Sequence, residues 1–252
     1  MIRRIVKESF ILLNVDYVRL GEKWNYKNVL SPYYRMYYIE DGQGLIYSQK
    51  QTWPLEPGNL YLIPSFTLCN LRCSGRLNQY FIHFFEDAGD GISLFHNCQT
   101  VFRVQASEMD IGNFKRLLQI NPCRKINRSD NPRIYEKHAY YQEYEQLNNS
   151  QPYDLFLETQ GILLQLVSKF IRLKTQDLID RHVKYLTATI ADAMLTGAAE
   201  PGEAGVKSQL VHAFVVGLLL RAKIYNDLKI LAYLDAAVFA LIGARPPKNI
   251  SG

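Results

Sequence analysis

The sequence predicts an α+β chain in which a β-barrel of the jelly-roll kind comes first and helices follow. Three observations predict it. Short β-branched, aromatic and aliphatic runs, separated by turn residues, fill residues 10 to about 105. Beyond about residue 133 the apolar side chains change to three- and four-residue spacing. The length of 252 residues is enough for two modest domains, read here as 1–175 and 176–252.

Residues 33–39 read as a strand leading into Asp41-Gly42-Gln43-Gly44, whose glycines suit a tight hairpin, and residues 45–47 resume the strand. Glu56-Pro57-Gly58-Asn59 is a turn into a strand at 60–63, which Pro64 stops. A further strand spans 79–85. Several short antiparallel strands at this spacing close naturally as a jelly roll.

Residues 121–133 read as a polar loop. Ile134, His138, Tyr141, Tyr144 and Leu147 then fall on one face of a helix starting near Pro132. A second helix, 153–173, carries Leu155, Ile162, Leu163, Leu166, Val167 and Phe170 on its apolar side, with Glu158, Gln165 and Lys169 elsewhere. That stripe suits packing on the barrel or on a second copy of the helix. Residues 174–190 read as a further helix start, 197–205 as a flexible break, and the remainder as two or three short helices.

Composition excludes some classes. Hydrophobic residues make up 48% and charged residues 21%, which argues against extended disorder. Residues 1–176 carry 21 Lys and Arg against 17 Asp and Glu, and residues 177–252 carry 8 against 7, so the net charge of +5 is not a basic tail. Cys69, Cys73, Cys98 and Cys123 form no zinc-ligand pattern and read as buried free thiols. The N-terminus lacks the apolar core of a signal peptide, so the expected location is cytoplasmic. The apolar runs at 210–220 and 230–244 are shorter than the ~20 residues of a membrane span, and no membrane association is expected.

If the barrel holds a small molecule, Arg35, Tyr37, Tyr61 and His83 are the candidate contacts, since such pockets combine apolar walls with a few polar groups. Alternation puts Arg35 and Tyr37 on one face of their strand and leaves open which face is interior. A metal-dependent barrel enzyme needs several histidines and a carboxylate, whereas this half has only His83 and His96, so neither metal nor cofactor is expected. No phosphate-binding glycine loop or nucleophile elbow is present, and Glu136 and Glu143 read as solvated side chains sharing a helix face. No catalysis is expected.

The run Tyr34-Arg35-Met36-Tyr37-Tyr38-Ile39-Glu40-Asp41-Gly42-Gln43-Gly44, then Leu55-Glu56-Pro57-Gly58-Asn59-Leu60-Tyr61-Leu62-Ile63-Pro64, then Tyr80-Phe81-Ile82-His83-Phe84, resembles the sensor domain of AraC-type transcription regulators. The resemblance covers about residues 10–175. It implies a cupin barrel that binds an effector, a sugar among the candidates, and a homodimer formed through the helix at 153–173, by Leu155, Ile162, Leu166 and Phe170.

The tail resembles the family's tandem helix-turn-helix domain only in fragments: Arg221-Ala222-Lys223, Leu228-Lys229-Ile230-Leu231-Ala232, Val238-Phe239, Gly243 and Pro246-Pro247, at contracted spacing. The implication is a shortened, degenerate helix-turn-helix that would contact operator DNA through Lys207, Arg221, Lys223, Lys229, Arg245 and Lys248. Residues 232–242 offer no cationic or amide side chain to read base edges. The alternatives are a sensor or dimerising protein without DNA binding and, third, a cupin enzyme.

Overall fold

A computed structural model describes residues 9–87, 93–96, 98–125, 131, 138–225 and 228–244. The chain divides into two compact units, Met1–Leu173 and Lys174–Gly252.

The first unit holds the strands β1 (Ser9–Leu20), β2 (Asn25–Val29), β3 (Tyr34–Gly42), β4 (Gly44–Tyr47), β5 (Thr52–Leu55), β6 (Asn59–Ile63), β7 (Cys69–Arg72), β8 (Leu77–Asp87) and β9 (Phe102–Gln105). They form two antiparallel sheets, one ordered β1-β8-β3-β6-β9 and the other β2-β7-β4-β5. Apart from the added edge strand β9, this is the strand order of a jelly roll, in which each sheet takes alternate strands from two Greek keys.

β3 is buried on both faces from Tyr34 to Ile39, so apolar residues occupy both sides of the strand, with Arg35 the one charged side chain among them. Tyr34, Met36 and Tyr38 point away from the second sheet and join Leu60, Leu62, Ile82 and Phe84 in a cluster covered by helices. Tyr37 and Ile39 point inward and meet Ile46, Leu55, Cys69 and Leu71 of the facing sheet. Alternation therefore divides one strand between two cores. The strands of the second sheet bury only one face, and their outward residues are exposed or half-buried.

Helix α1 (Glu108–Ile120) begins with a capping box, in which the Ser107 hydroxyl accepts from the Asp110 N–H and the Asp110 carboxylate accepts from the Ser107 N–H. Lys169 donates to the same carboxylate at 2.5 Å. Helix α2 (His138–Ser150) places Tyr144 with Leu13 and Tyr33, packed by Tyr141 and Leu147. The periodic helix expected near Pro132 is thus seen from His138 on, while Pro132 and Ile134 lie outside the described residues, as does Glu136 of the expected glutamate pair.

Helix α3 (Tyr153–Leu195) corrects the expected boundary at 173. Residues 162–195 contain no glycine or proline, so nothing interrupts the backbone ladder, and the expected second helix start at 174 is the same helix continuing. Its early turns place Ile162, Leu163, Leu166, Val167 and Phe170 against Phe114, Leu117 and the outer face of the first sheet.

In the second unit, the end of α3 is followed by α4 (Ala204–Tyr225), a 3₁₀ helix (Leu228–Tyr233) and α5 (Leu234–Ile242). The break expected at 197–205 falls between α3 and α4. The expected two or three short helices are instead one helix of 22 residues, a 3₁₀ helix and a helix of nine. Of the fragments that resemble a helix-turn-helix domain, Arg221-Ala222-Lys223 lies at the end of α4 and residues 228–232 are 3₁₀. The Thr187 and Ser208 hydroxyls meet at 2.7 Å, beside buried Ile190 and Val211. No helix among the described residues is long and apolar enough to cross a membrane.

Candidate small-molecule site in the barrel

Cross-strand register sets the inner face of the first sheet in rows. Arg35 of β3 stands opposite His83 of β8 and Ile63 of β6, and His83 stands opposite Asn14 of β1. The row below holds Asp16, Phe81, Tyr37 and Tyr61. Facing side chains in such rows are close enough to act on one ligand together. All four sequence candidates, Arg35, Tyr37, Tyr61 and His83, are therefore brought to the same inner face, and all are buried.

Asn14 reaches the site by an irregularity. The β1–β8 register shifts between Leu12 and Asn14, leaving Leu13 as an extra residue. Without that bulge, alternation from Leu12, which faces the helices, would point Asn14 outward as well. The bulge turns it inward, where its Oδ1 lies 3.3 Å from His83 Nδ1. Arg124 and Asn148 hold the bulge from outside by donating to the Leu12 carbonyl at 3.1 and 3.0 Å.

Arg35 has no exposed surface. Its Nη2 donates to Cys69 Sγ at 3.3 Å and to the Thr67 carbonyl at 3.5 Å. Burial, together with the positive charge of Arg35, pushes the His83 pKa well below its usual value, so the imidazole is neutral at physiological pH. Tyr33 and Phe81 flank the imidazole with ring centroids at 5.1 and 4.9 Å. The arrangement is a guanidinium, a neutral imidazole and an amide set among aromatic walls. It can donate to and accept from a small polar molecule.

Tyr61 differs from the other candidates. Its hydroxyl donates to the Pro54 carbonyl at 2.7 Å and accepts from the Glu56 N–H at 3.0 Å, so it pins the β5–β6 turn. Its polar end is used by the backbone. Sequence reasoning missed Asn14, Asp16, Gln79, Thr67 and Cys69, which are buried around the same interior. The available signal was the alternation of Asn14 and Asp16 within the apolar run of β1.

The side chains expected to form a dimer are used within the chain. Ile162, Leu166 and Phe170 are buried in the core beneath the first sheet, and Leu155 packs against it. The intramolecular alternative accounts for the stripe. Any contact through α3 falls instead to exposed residues such as Tyr153, Leu157 and Leu164.

Of the residues expected at DNA, Lys207 donates to the Glu200 and Ile242 carbonyls, both at 2.8 Å, and so closes the end of α5. Arg221 and Lys229 are exposed. Arg245, Lys248 and the side chain of Lys223 lie outside the described residues. The cysteines are all free, but only Cys69 and Cys73 are buried; Cys98 is half-buried and Cys123 exposed, which corrects the expectation of four buried thiols. No cluster of three or more His, Cys, Asp or Glu side chains able to hold a metal occurs among the described residues.

No protein-family model matches the chain, and no curated protein matches it. Solved structures do. A cupin-2 domain containing protein from Shewanella frigidimarina aligns over 27% of this chain and 66% of its own, at 14% identity and TM-score 0.25. The EutQ protein of Clostridium difficile aligns over 28% and 54%, at 14% identity and TM-score 0.26. A cupin superfamily protein from Desulfitobacterium hafniense aligns over 31% and 78%, at 14% identity and TM-score 0.27. The chain spans just under two thirds of the first of these and about half of the second. The jelly-roll barrel of this chain rests on its own strand order, and cupin-domain proteins are among the solved structures it resembles.

Proposed function

We propose that the chain is a small-molecule sensor of the AraC regulator type, whose barrel takes up a small polar effector and whose C-terminal helices carry the response. The observation that supports this reading is the buried row Asn14–His83–Arg35 set among aromatic and aliphatic side chains inside the barrel. A ligand with acceptor oxygens, such as a sugar or hydroxy acid, suits a guanidinium beside a neutral imidazole. The reading assigns the chain no catalytic step and no cofactor.

In its full form the reading includes a homodimer and operator DNA, with Arg221 and Lys229 as exposed cations of the second unit. Effector binding would then act by population shift, stabilising one presentation of the C-terminal helices over another. A second reading, a sensor without DNA binding, is favoured by one observation: Lys207, a cation expected at DNA, is engaged by two backbone carbonyls.

The test is thermal unfolding of the purified protein against a panel of sugars and hydroxy acids. A binder present at a hundred times its Kd should add about 2.7 kcal/mol of stability. Arg35→Met should abolish the gain. Gains that survive Arg35→Met, or none with any compound, would refute the barrel site. DNA retention across a salt series, using the gene's upstream region against scrambled DNA, separates the two forms, because phosphate contacts weaken steeply with salt.

A further inference from the structure

The Asn14, Arg35 and His83 side chains are closed off from solvent, so any ligand of the site proposed above must enter through a part of the barrel that opens. One segment carries the marks of such a part. Thr67 N–H donates to the Pro64 carbonyl at 3.3 Å, closing a four-residue turn at the end of β6. Phe66 occupies the third position of that turn with φ +56°. That position and that φ favour glycine or asparagine, and a bulky aromatic there is strained. The same left-handed φ occurs at Asn28, a residue type that tolerates it.

The strained residue is also exposed. Phe66 is 61% exposed and Leu68 56%, while Thr67 between them is 3% exposed. Leu30, on the neighbouring loop, is 50% exposed. The two loops are joined by the Phe66 N–H, which donates to the Ser31 carbonyl at 2.8 Å. Beneath the turn, Arg35 holds the Thr67 carbonyl and the Cys69 sulfur. The Thr67 hydroxyl is buried and has no hydrogen-bond partner among the described residues. A strained backbone, an apolar exterior and an unused hydroxyl therefore lie in one short segment directly against the buried guanidinium.

We propose that the 64–68 turn is the door of the barrel. It opens when Phe66 leaves the left-handed conformation, which releases the bond to Ser31 and lifts Thr67 and Cys69 from Arg35. Strain in the closed form lowers the free energy of opening, and strain held in a closed form favours function at switch segments. At the opposite end of β3, Ile39 belongs to a buried apolar cluster with Leu20, Trp24, Leu55 and Leu77. The use of the door rests on the barrel reading, but the opening itself does not require that a ligand be known.

Cys69 reports the opening. It and Cys73 are both buried, at 1% and 2% exposure, but only Cys69 lies beneath the turn against Arg35. In full-length protein carrying Cys98→Ser and Cys123→Ser, the labelling of each remaining thiol by N-ethylmaleimide is followed by peptide mass spectrometry. Local opening predicts that Cys69 is labelled ahead of Cys73, whereas global unfolding exposes both together. Phe66→Asn, which tolerates the left-handed φ, should slow Cys69 labelling on the order of tenfold relative to Phe66→Ile, with Cys73 unchanged. Equal rates for the two thiols, or a Cys69 rate that is the same in both Phe66 variants, would overturn the proposal. Because no effector is added, failure of this test is distinct from failure of the barrel to bind one.

Discussion

Asn14 and His83 face each other across the first and last strands of the jelly roll, with Oδ1 and Nδ1 3.3 Å apart, because the β1 bulge at Leu13 turns Asn14 inward. The contact joins two residues 69 positions apart and supplies the neutral imidazole with a fixed polar neighbour. It also gives the site a pH dependence.

Burial, aided by Arg35, keeps the folded-state pKa of His83 well below 6.5. Below pH ~6.5 the unfolded chain then binds a proton that the folded chain refuses, so stability is present above that pH and is lost as pH falls towards the folded pKa. The expected slope from this group is about 1.4 kcal/mol per pH unit. Urea unfolding of the wild type and of His83→Gln between pH 7 and pH 5 measures it. The variant should lose stability more slowly on acidification, and parallel curves would show that His83 is not buried neutral.

Much of the barrel was legible because its signals are local. The Asp41-Gly42-Gln43-Gly44 hairpin and the Pro57-Gly58 turn declare themselves by residue type, and the strands around them follow. The inner face of β3 was not legible, because a strand buried on both sides carries large side chains on each face and shows no alternation of buried and exposed positions. Asn14 and Asp16 alternate visibly within β1, but the bulge shifts their phase relative to Leu12, and the fate of Phe170 depended on whether the first sheet or another chain covers α3. The extent of α3 was misjudged for a different reason: after Leu173 its apolar stripe weakens, but without a glycine or proline the helix continues.

Tyr61 should behave as a structural tyrosine. Removing its hydroxyl in Tyr61→Phe takes away the acceptor of the Glu56 N–H and the donor to the Pro54 carbonyl. A loss of about 1–3 kcal/mol is expected in denaturant unfolding. Effector-induced stabilisation should persist in this variant, unlike in Arg35→Met, and its loss would place the hydroxyl at the ligand after all.

Phe170→Ala tests whether the stripe of α3 belongs to the chain's own core. Phe170 has no exposed surface and packs beneath the first sheet, so truncation should cost about 3–5 kcal/mol. Sedimentation at a temperature where the variant remains folded should show the wild-type oligomeric state. A shift to smaller species without loss of stability would return Phe170 to a subunit interface.

Two glycines with similar left-handed backbones should respond differently to alanine. Gly42 has φ +85° and Gly58 has φ +76°, so both substitutions carry the strain of about 1–2 kcal/mol that an L residue meets there. At Gly58 a Cβ would meet nothing within 4 Å, and the cost should stop at that strain. At Gly42 it would sit 2.1 Å from the Arg76 carbonyl oxygen, a backbone atom fixed where β3 and β8 pair and so unable to withdraw cheaply. The β3–β8 ladder must then distort, and Gly42→Ala should cost clearly more than Gly58→Ala in urea unfolding. Equal losses would mean that the hairpin yields to the new methyl group, and with it that the register which sets Arg35 opposite His83 is less firmly held than the paired strands imply.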